Sequence, residues 1–292
     1  MLEELKIRNF ECGYANAVGV SADVTAGLDL AFPDAYKHCD TMATLAKAIQ
    51  EHDGAGFCLL PFCRTVEIEA VGANVNFGDA NTGPRPAAPI CETPEDFLVL
   101  PAIDFSSGRI HEVLEACRLL VDAGETVCLE LVGPWTQMQG LMEARKVVKM
   151  NRKQPELMLQ VMNKIGDDLL RYVDEARTRG VQILMYSDSA GTLDILSPKI
   201  MAQTTREFTH PFMKRLVEHV GDAMVVQLCP KIAYALLDTG CAEERVFELE
   251  RPVGFLEAAL ELRGQAKLLG QTCIMLPGVK IANGKIREIV LK

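Results

Sequence analysis

Short apolar runs that alternate with helical stretches constrain the fold of this 292-residue chain more than any other feature. Each run is long enough for one buried strand and too short for a helix. The runs lie at 57–62, 126–132, 181–186, 223–230, 245–249 and 271–278, and a half-exposed edge strand is predicted at 285–291. The helical stretches lie at 41–51, 111–123, 138–150, 155–179, 198–220, 232–237 and 255–262.

This alternation predicts an α/β fold with a parallel sheet. The chain length suits a single (β/α)8 TIM barrel, in which residues 1–45 form a weakly patterned N-terminal segment. The alternative is an open doubly wound sheet. No strand is followed by G-x-G-x-x-G or a Walker loop, which argues against nucleotide chemistry.

Charge, apolar content and cysteine count limit which binding partners and which cellular compartment the sequence predicts. The net charge is −10 and the pI is about 5.1, with no Lys/Arg-rich block, so nucleic acid and anionic membranes are poor partners. No run approaches the roughly 18 apolar residues of a membrane span. The N-terminus lacks the core of a signal peptide, and ten cysteines then indicate reduced thiols in a cytoplasmic protein.

The candidate chemistry lies at the C-terminal ends of the predicted strands, where barrel enzymes carry their active sites. The residues found there are Cys63, Trp135, Asp188, Cys229, Glu250 and Cys273. Two thiolates with a carboxylate or imidazole most often bind zinc. The alternative is that Cys229 and Cys273 are inert core thiols, because the chain has neither C-x-x-C nor H-x-x-x-H spacing.

Three other candidate residues have both a functional and a purely structural interpretation. Asp188 is a ligand, a general acid/base, or an N-cap for the following turn. Glu250 is a ligand or an exposed carboxylate at the rim. Trp135 is the only tryptophan, and it suits either the wall of a substrate pocket or the packed core.

Several motifs together resemble a known family. They are GFCLLPFCRTVEIEAVG at 56–72, FPDA at 32–35, GPWT at 133–136, SDSA at 187–190 with LSP at 196–198, and the helix from REF at 206–208 to LVE at 216–218. In order and spacing they resemble the uroporphyrinogen decarboxylase superfamily over about residues 28–290. They are most similar to its branch of methylcobamide:coenzyme M methyltransferases and related corrinoid-dependent enzymes.

The resemblance implies a (β/α)8 barrel with zinc at its C-terminal mouth, held by an H-x-C pair and a distant second cysteine. Cys229 and Cys273 match those cysteines, whereas Gln227 stands at the histidine position. The resemblance therefore points to Glu250 as the third ligand, with Asp188 as second choice. Asp188 and Glu250 are the catalytic candidates, and Cys63 is grouped with Trp135 and Gln227 in the substrate pocket.

The implied function is a zinc-dependent methyltransferase that moves a methyl group between a small substrate and the cobalt of a corrinoid. Replacement of imidazole by carboxylate favours an oxygen-bearing substrate such as a methoxy compound over a thiol. The family's D-x-H-x-x-G loop is missing from the chain, so the corrinoid (methylcobalamin) is expected on a partner protein.

Two alternatives remain. One is a metal-free decarboxylase or lyase, although Arg8 is the only arginine in residues 1–31, where uroporphyrinogen decarboxylases carry several. The other is a non-enzymatic accessory protein that binds a tetrapyrrole or corrinoid.

Overall fold

A computed structural model describes residues 6–12, 19–273, 276 and 279–292. The α-helices in this part are α1 (Ala22–Thr25), α2 (Cys39–Asp53), α3 (Val66–Ala70), α4 (Pro94–Val99), α5 (Gly108–Asp122), α6 (Pro134–Leu141), α7 (Ala144–Lys153), α8 (Pro155–Thr178), α9 (Pro198–Thr204), α10 (His210–Val220), α11 (Pro230–Asp238) and α12 (Phe255–Glu261). Short 3-10 turns occupy Asp34–Tyr36 and Ser189–Gly191, and a π-helical turn at Thr205–Thr209 joins α9 to α10.

The strands are mostly gathered in one sheet. They are β1 (Cys58–Leu60), β2 (Val75–Asn76), β3 (Arg85–Pro86), β4 (Val127–Val132), β5 (Ile183–Ser187), β6 (Val225–Leu228), β7 (Ala242–Glu248), β8 (Val253–Gly254), β9 (Leu268–Leu269), β10 (Lys280–Ile281) and β11 (Lys285–Leu291). The main sheet has the order β1-β4-β5-β6-β9-β11-β7, and β2 with β3 and β8 with β10 form small separate ladders.

Five neighbouring strands of the main sheet, from β1 to β9, are parallel. All residues of β4, β5 and β6 are buried, as expected for continuous apolar strands covered on both faces. Because parallel strands share one direction, their C-terminal ends meet at one edge. The predicted α/β fold with a mostly parallel sheet is confirmed.

The last two strands of the sheet differ from the prediction of eight parallel strands. β11 pairs antiparallel with both β9 and β7, and in the described part of the chain no ladder joins β7 to β1. β7 carries Glu243, Glu244 and Arg245 as consecutive exposed residues. A strand this charged cannot be buried on both faces, so it lies at the edge of the sheet.

Two sequence-based strand assignments also need correction. The run at 285–291 has the predicted bounds, but β11 lies between β9 and β7 rather than at an edge. The strand predicted at 271–278 is instead found earlier, at Leu268–Leu269. Residues 271–273 are not in a strand, and residues 274–275 and 277–278 lie outside the described part. Within that part, every helix is too short or too polar to cross a membrane.

Candidate active site at the strand ends

Cys229 lies where β6 passes into α11. It is the N-cap residue of that helix, and Pro230 occupies the first helical position, where its missing N–H costs nothing. The backbone N–H of Cys229 donates to the carbonyl of Tyr186 at 2.9 Å, which fixes the turn against the end of β5. The Cys229 thiol is half-buried at the edge where the parallel strands end.

Gln227 connects the Cys229 turn to the segment that carries Cys273. Its Nε2 donates to the carbonyl of Thr272 at 2.8 Å and to the carbonyl of Leu228 at 3.0 Å. Each carbonyl belongs to the residue directly before one of the two cysteines. Gln227 is 2% exposed, so this amide is a buried link between the two thiol-bearing segments.

The pKa of the Cys229 thiol reflects its burial at the strand ends. Burial raises the pKa of the Cys229 thiol to about 11, and the neighbouring charges of Cys12 and Cys273 add to that rise, while the amide groups of Lys231 and Ile232 oppose it. Such a thiol needs a cation beside it to ionise near neutral pH.

An unpaired acceptor supports a cation at this position. Gln227 Oε1 is buried and accepts no hydrogen bond from the described residues. Two thiols with a buried carbonyl-type oxygen suit zinc, although an amide oxygen is a weak zinc ligand. As placed in the described ranges, no three His, Cys, Asp or Glu side chains stand close enough to hold a metal ion. The described residues therefore offer two thiols as zinc ligands and no third ligand beside them.

Asp188 caps a helix. It is 4% exposed, and its carboxylate accepts from the backbone N–H of Trp135 at 3.1 Å and from both the N–H and the hydroxyl of Thr136 at 2.8 Å. These donors belong to the first turn of α6, so the carboxylate satisfies N–H groups that have no partner within the helix. Cβ atoms at Gly133 and Gly191 would come within 3 Å of Asp188, so both glycines are needed for this approach.

The environment of Asp188 also affects its ionisation. Burial raises the pKa of its carboxyl to about 6, although the hydrogen bonds from Thr136 and Trp135 oppose the rise. A group with this pKa can carry or release a proton near neutrality. The acid/base role of Asp188 stays a prediction.

Glu250 is not brought to the two cysteines. It follows β7 and is exposed, and β7 is separated from β6 by β9 and β11. Three strand spacings amount to roughly 14 Å along the sheet. The family resemblance pointed to Glu250 at the end of the strand that follows β6 in sequence, whereas β9 and β11 lie between these two strands in the sheet.

The two remaining pocket candidates are in different surroundings. Cys63 follows β1, and its sulfur accepts from Arg109 Nη1 at 3.1 Å and contacts the Thr65 hydroxyl at 3.1 Å. Trp135 is 1% exposed and packs in the main core, and its Nε1 finds no acceptor among the described residues. The packing alternative for Trp135 therefore describes its surroundings better than a pocket wall does.

Sequence reasoning missed two buried acids near these strand ends. Glu130 is 6% exposed within β4 and accepts from Arg64 Nε at 3.0 Å and from the Ser187 hydroxyl at 2.7 Å. Glu67 is 1% exposed in α3, and burial raises its carboxyl pKa to about 7. The signal for Glu130 was present, because a carboxylate inside an apolar strand run requires a partner.

A separate cavity of about 770 Å³ lies beside α9, away from the cysteines in sequence. Its lining includes the cationic residues Lys6, Lys199 and Arg206.

Comparison with known proteins adds a family and its relatives. The sequence profile of the family described as uroporphyrinogen decarboxylase (URO-D) matches residues 21–277. The chain is 26% identical over 255 residues to the methylcobamide:CoM methyltransferase MtaA of Methanosarcina barkeri, covering 85% of this chain and 74% of that protein. It is 24% identical over 192 residues to the uroporphyrinogen decarboxylase of Psychromonas ingrahamii, covering 59% of this chain and 51% of that protein.

A solved structure supports the same fold. A methyltransferase from Methanosarcina mazei superposes with a TM-score of 0.61 at 22% identity, covering 77% of this chain and 68% of the other. At this identity the match supports the architecture, and the chemistry has to be argued from the residues.

Proposed function

Since the chain belongs to the uroporphyrinogen decarboxylase family, we propose that it is a zinc-dependent methyltransferase of a corrinoid-dependent system. It moves a methyl group between a small substrate and the cobalt of methylcobalamin carried by a corrinoid protein. The similarity to methylcobamide:CoM methyltransferases supports methyl transfer as the reaction class.

The observation that carries the proposal is the link between the two thiols. Gln227 ties the Cys229 turn to the Cys273 segment through one buried amide, and its Oε1 accepts from no donor in the described part of the chain. A buried acceptor without a donor costs about 1–3 kcal/mol. A cation bound beside Gln227 Oε1 would offset that cost.

The chain's own residues have defined roles in this proposal. Cys229 and Cys273 hold the zinc, and Gln227 orients both segments. Zinc held by thiolates acts as a Lewis acid toward a substrate sulfur or oxygen. Asp188, with its pKa of about 6, is the proposed group for holding a proton at the strand ends.

Metal content and turnover test this function directly. We expect purified protein to contain one zinc per chain after dialysis and to transfer the methyl group of methylcobalamin to an added thiol. Removal of zinc with a chelator should abolish the transfer, and re-addition should restore it. A zinc-free protein with full turnover would refute the proposal.

The same assay separates two substrate classes. With a thiol acceptor, methylcobalamin loses its methyl group and its absorption decreases. With a methoxy donor and reduced cobalamin, methylcobalamin is formed and its absorption increases. The relative named methylated-thiol–coenzyme M methyltransferase of Methanosarcina mazei, 23% identical over 212 residues, favours testing thiols first. The carboxylate-based argument for a methoxy compound weakens because Glu250 lies three strands from Cys229.

Decarboxylation is the second candidate function, and the similarity to uroporphyrinogen decarboxylases favours it. Those matches cover 59% of this chain, compared with 85% for the methyltransferase. Release of carbon dioxide from uroporphyrinogen by zinc-free protein would establish this alternative.

A further inference from the structure

The cavity of about 770 Å³ beside α9 lies between two separate parts of the chain. Residues 6–7 of the N-terminal segment line one side, and the other wall runs from Ser197 to Arg206 in the π-helical turn. Protein cavities of roughly 300–1,000 Å³ hold small organic ligands. The candidate residues at the strand ends are not among the described residues that line this cavity, so a ligand here would lie outside the proposed active site.

The N-terminal segment is fastened beside the cavity by three consecutive residues. Ile7 is 6% exposed and belongs to the main core. Arg8 pairs with Asp238 through both its backbone N–H and its guanidinium, each at 2.7 Å. The Asn9 amide donates to Asp194 at 3.2 Å. Because these contacts hold the residues directly after it, the backbone of position 6 is kept at the edge of the cavity.

The opposite wall is one face of a helix. Lys199, Ala202 and Arg206 are three and then four positions apart, the spacing of residues that share a helix face. Arg206 belongs to the π-helical turn at Thr205–Thr209, and such turns are rare and are frequently found at functional sites. Ala202 is 2% exposed, so it adds to Ile7 an apolar floor beneath the two exposed cations.

The charges around the cavity are all positive. Lys6, Lys199 and Arg206 make no hydrogen bond or ion pair with other described residues, and no Asp or Glu is among the described residues of the lining. By contrast, Arg8 is paired with the carboxylate of Asp238 only two residues after Lys6. The chain as a whole carries a net charge of −10, so three cations without a carboxylate are a local exception. A bound anion would reduce the repulsion among them.

We propose that this cavity binds a small organic anion with two or more acidic groups attached to an apolar body. The two lysines offer ammonium donors, and Arg206 can bind a carboxylate or a phosphate through two parallel N–H···O bonds. Ile7 and Ala202 provide the surface against which the apolar body packs. The site goes beyond the proposed function, because it involves neither zinc nor a corrinoid.

Isothermal titration calorimetry with defined probes tests the site. The probes are trimesate, a benzene ring with three carboxylates, and phenylene bisphosphate, a benzene ring with two phosphates. We expect at least one of them to bind wild-type protein more tightly than pyrophosphate, which has the charge without the apolar body. Added salt should weaken binding, because the cations at the rim are exposed to solvent. The tighter of the two ring probes identifies the acidic group that the site prefers.

A double substitution removes two of the three cations. We expect Lys199→Gln with Arg206→Gln to weaken probe binding more than about 10-fold, because two charge-assisted hydrogen bonds are lost. Both positions are exposed, so the thermal unfolding of this variant should match that of wild type.

The matched control is Lys149→Gln with Arg152→Gln in α7. This helix carries five cations within ten residues, and the two substituted positions are exposed and do not line the cavity. The control changes the net charge by the same amount and should leave probe affinity unchanged.

Two results would overturn the proposal. One is that neither ring probe gives a heat of binding with wild-type protein at millimolar concentration. The other is that both double variants weaken binding equally, since the probes would then respond to surface charge alone and not to the cavity. Neither measurement depends on zinc, so the proposed function is tested separately.

Discussion

The Gln227 side chain donates to the carbonyl of Thr272 over 2.8 Å, and this hydrogen bond joins the end of β6 to the segment that carries Cys273. The two residues are 45 positions apart: Gln227 lies in β6, and Thr272 follows β9, the strand that pairs in parallel with β6. A glutamine at this position therefore has a defined structural role. It ties the turn that carries Cys229 to the segment that carries Cys273, even though an amide is a poor zinc ligand itself.

Loss of either thiol should abolish zinc binding. Cys229→Ala and Cys273→Ala each remove a thiolate. We expect each variant to bind zinc more than about 100-fold more weakly than wild type, because loss of a residue that only contacts a ligand already costs about 10–100-fold in affinity. The fold should persist, because a chain of this length has its own core. Zinc content and thermal unfolding measure the two effects separately.

Cys117→Ala is the matched control, since Cys117 is fully buried in α5 and should affect stability alone. Variants of Cys229 and Cys273 that keep zinc and turnover while losing only stability would identify both as core thiols.

Gln227→Met should loosen the site without removing a ligand. It keeps the volume of the side chain but leaves the Thr272 carbonyl without its donor, at a cost of about 1–3 kcal/mol in the free energy of unfolding. Zinc affinity should fall about 10–100-fold. Gln227→His should strengthen zinc binding, because it supplies an imidazole nitrogen.

Gln182→Met provides a comparison at the other end of the sheet, where Gln182 Oε1 accepts from the Val127 N–H at 2.9 Å. It should lower stability to a similar extent and leave zinc affinity unchanged. Equal zinc affinities in wild type and Gln227→Met would show that the Thr272 hydrogen bond has no role in positioning Cys273.

Asp188→Asn should destabilise the protein by about 1–3 kcal/mol, because an amide N–H₂ would face donors from Trp135 or Thr136. Urea-induced unfolding measures this loss. Thr136→Val removes only the hydroxyl donor and should cost less. If turnover of fully folded Asp188→Asn falls far more than that of Thr136→Val, the acid/base role predicted from the sequence gains support, whereas equal turnover restricts Asp188 to capping.

The central strands were predictable because burial on both faces leaves a clear pattern. The runs at 126–132 and 181–186 correspond to β4 and β5 within one or two residues at each end. β9 was misplaced because its two residues, Leu268 and Leu269, are too few to form a distinct run, while the later stretch at 271–278 is longer and more apolar.

The site was only partly predictable for a related reason. Cys229 follows its strand directly, so local pattern located it. The hydrogen bond from Gln227 to the Thr272 carbonyl joins residues 45 positions apart, and no local pattern records such a contact. Sequence order also does not reveal that β9 and β11 lie between β6 and β7, and the role of Glu250 as a zinc ligand stays a prediction.

Glu67 should make stability depend on pH. Burial raises its carboxyl pKa from 4.5 to about 7, so between these values the folded protein holds a proton that the unfolded chain has released. The free energy of unfolding should therefore fall as pH rises from 4.5 to about 7, and this contribution should stay lost above pH 7. Glu67 Oε2 has no partner in the described residues, so the charged form gains little in return.

Glu67→Gln tests this dependence because the amide cannot ionise and its Oε1 can still accept from the Val132 N–H, as Glu67 Oε1 does at 3.1 Å. Urea unfolding of both proteins from pH 4.5 to 8 should show the variant gaining stability relative to wild type up to about pH 7, with a constant difference beyond. Glu95 is exposed, so the free energy of unfolding of Glu95→Gln should change with pH in the same way as that of wild type. A Glu67→Gln curve that is also parallel to wild type would mean that Glu67 is ionised in the folded protein across this range.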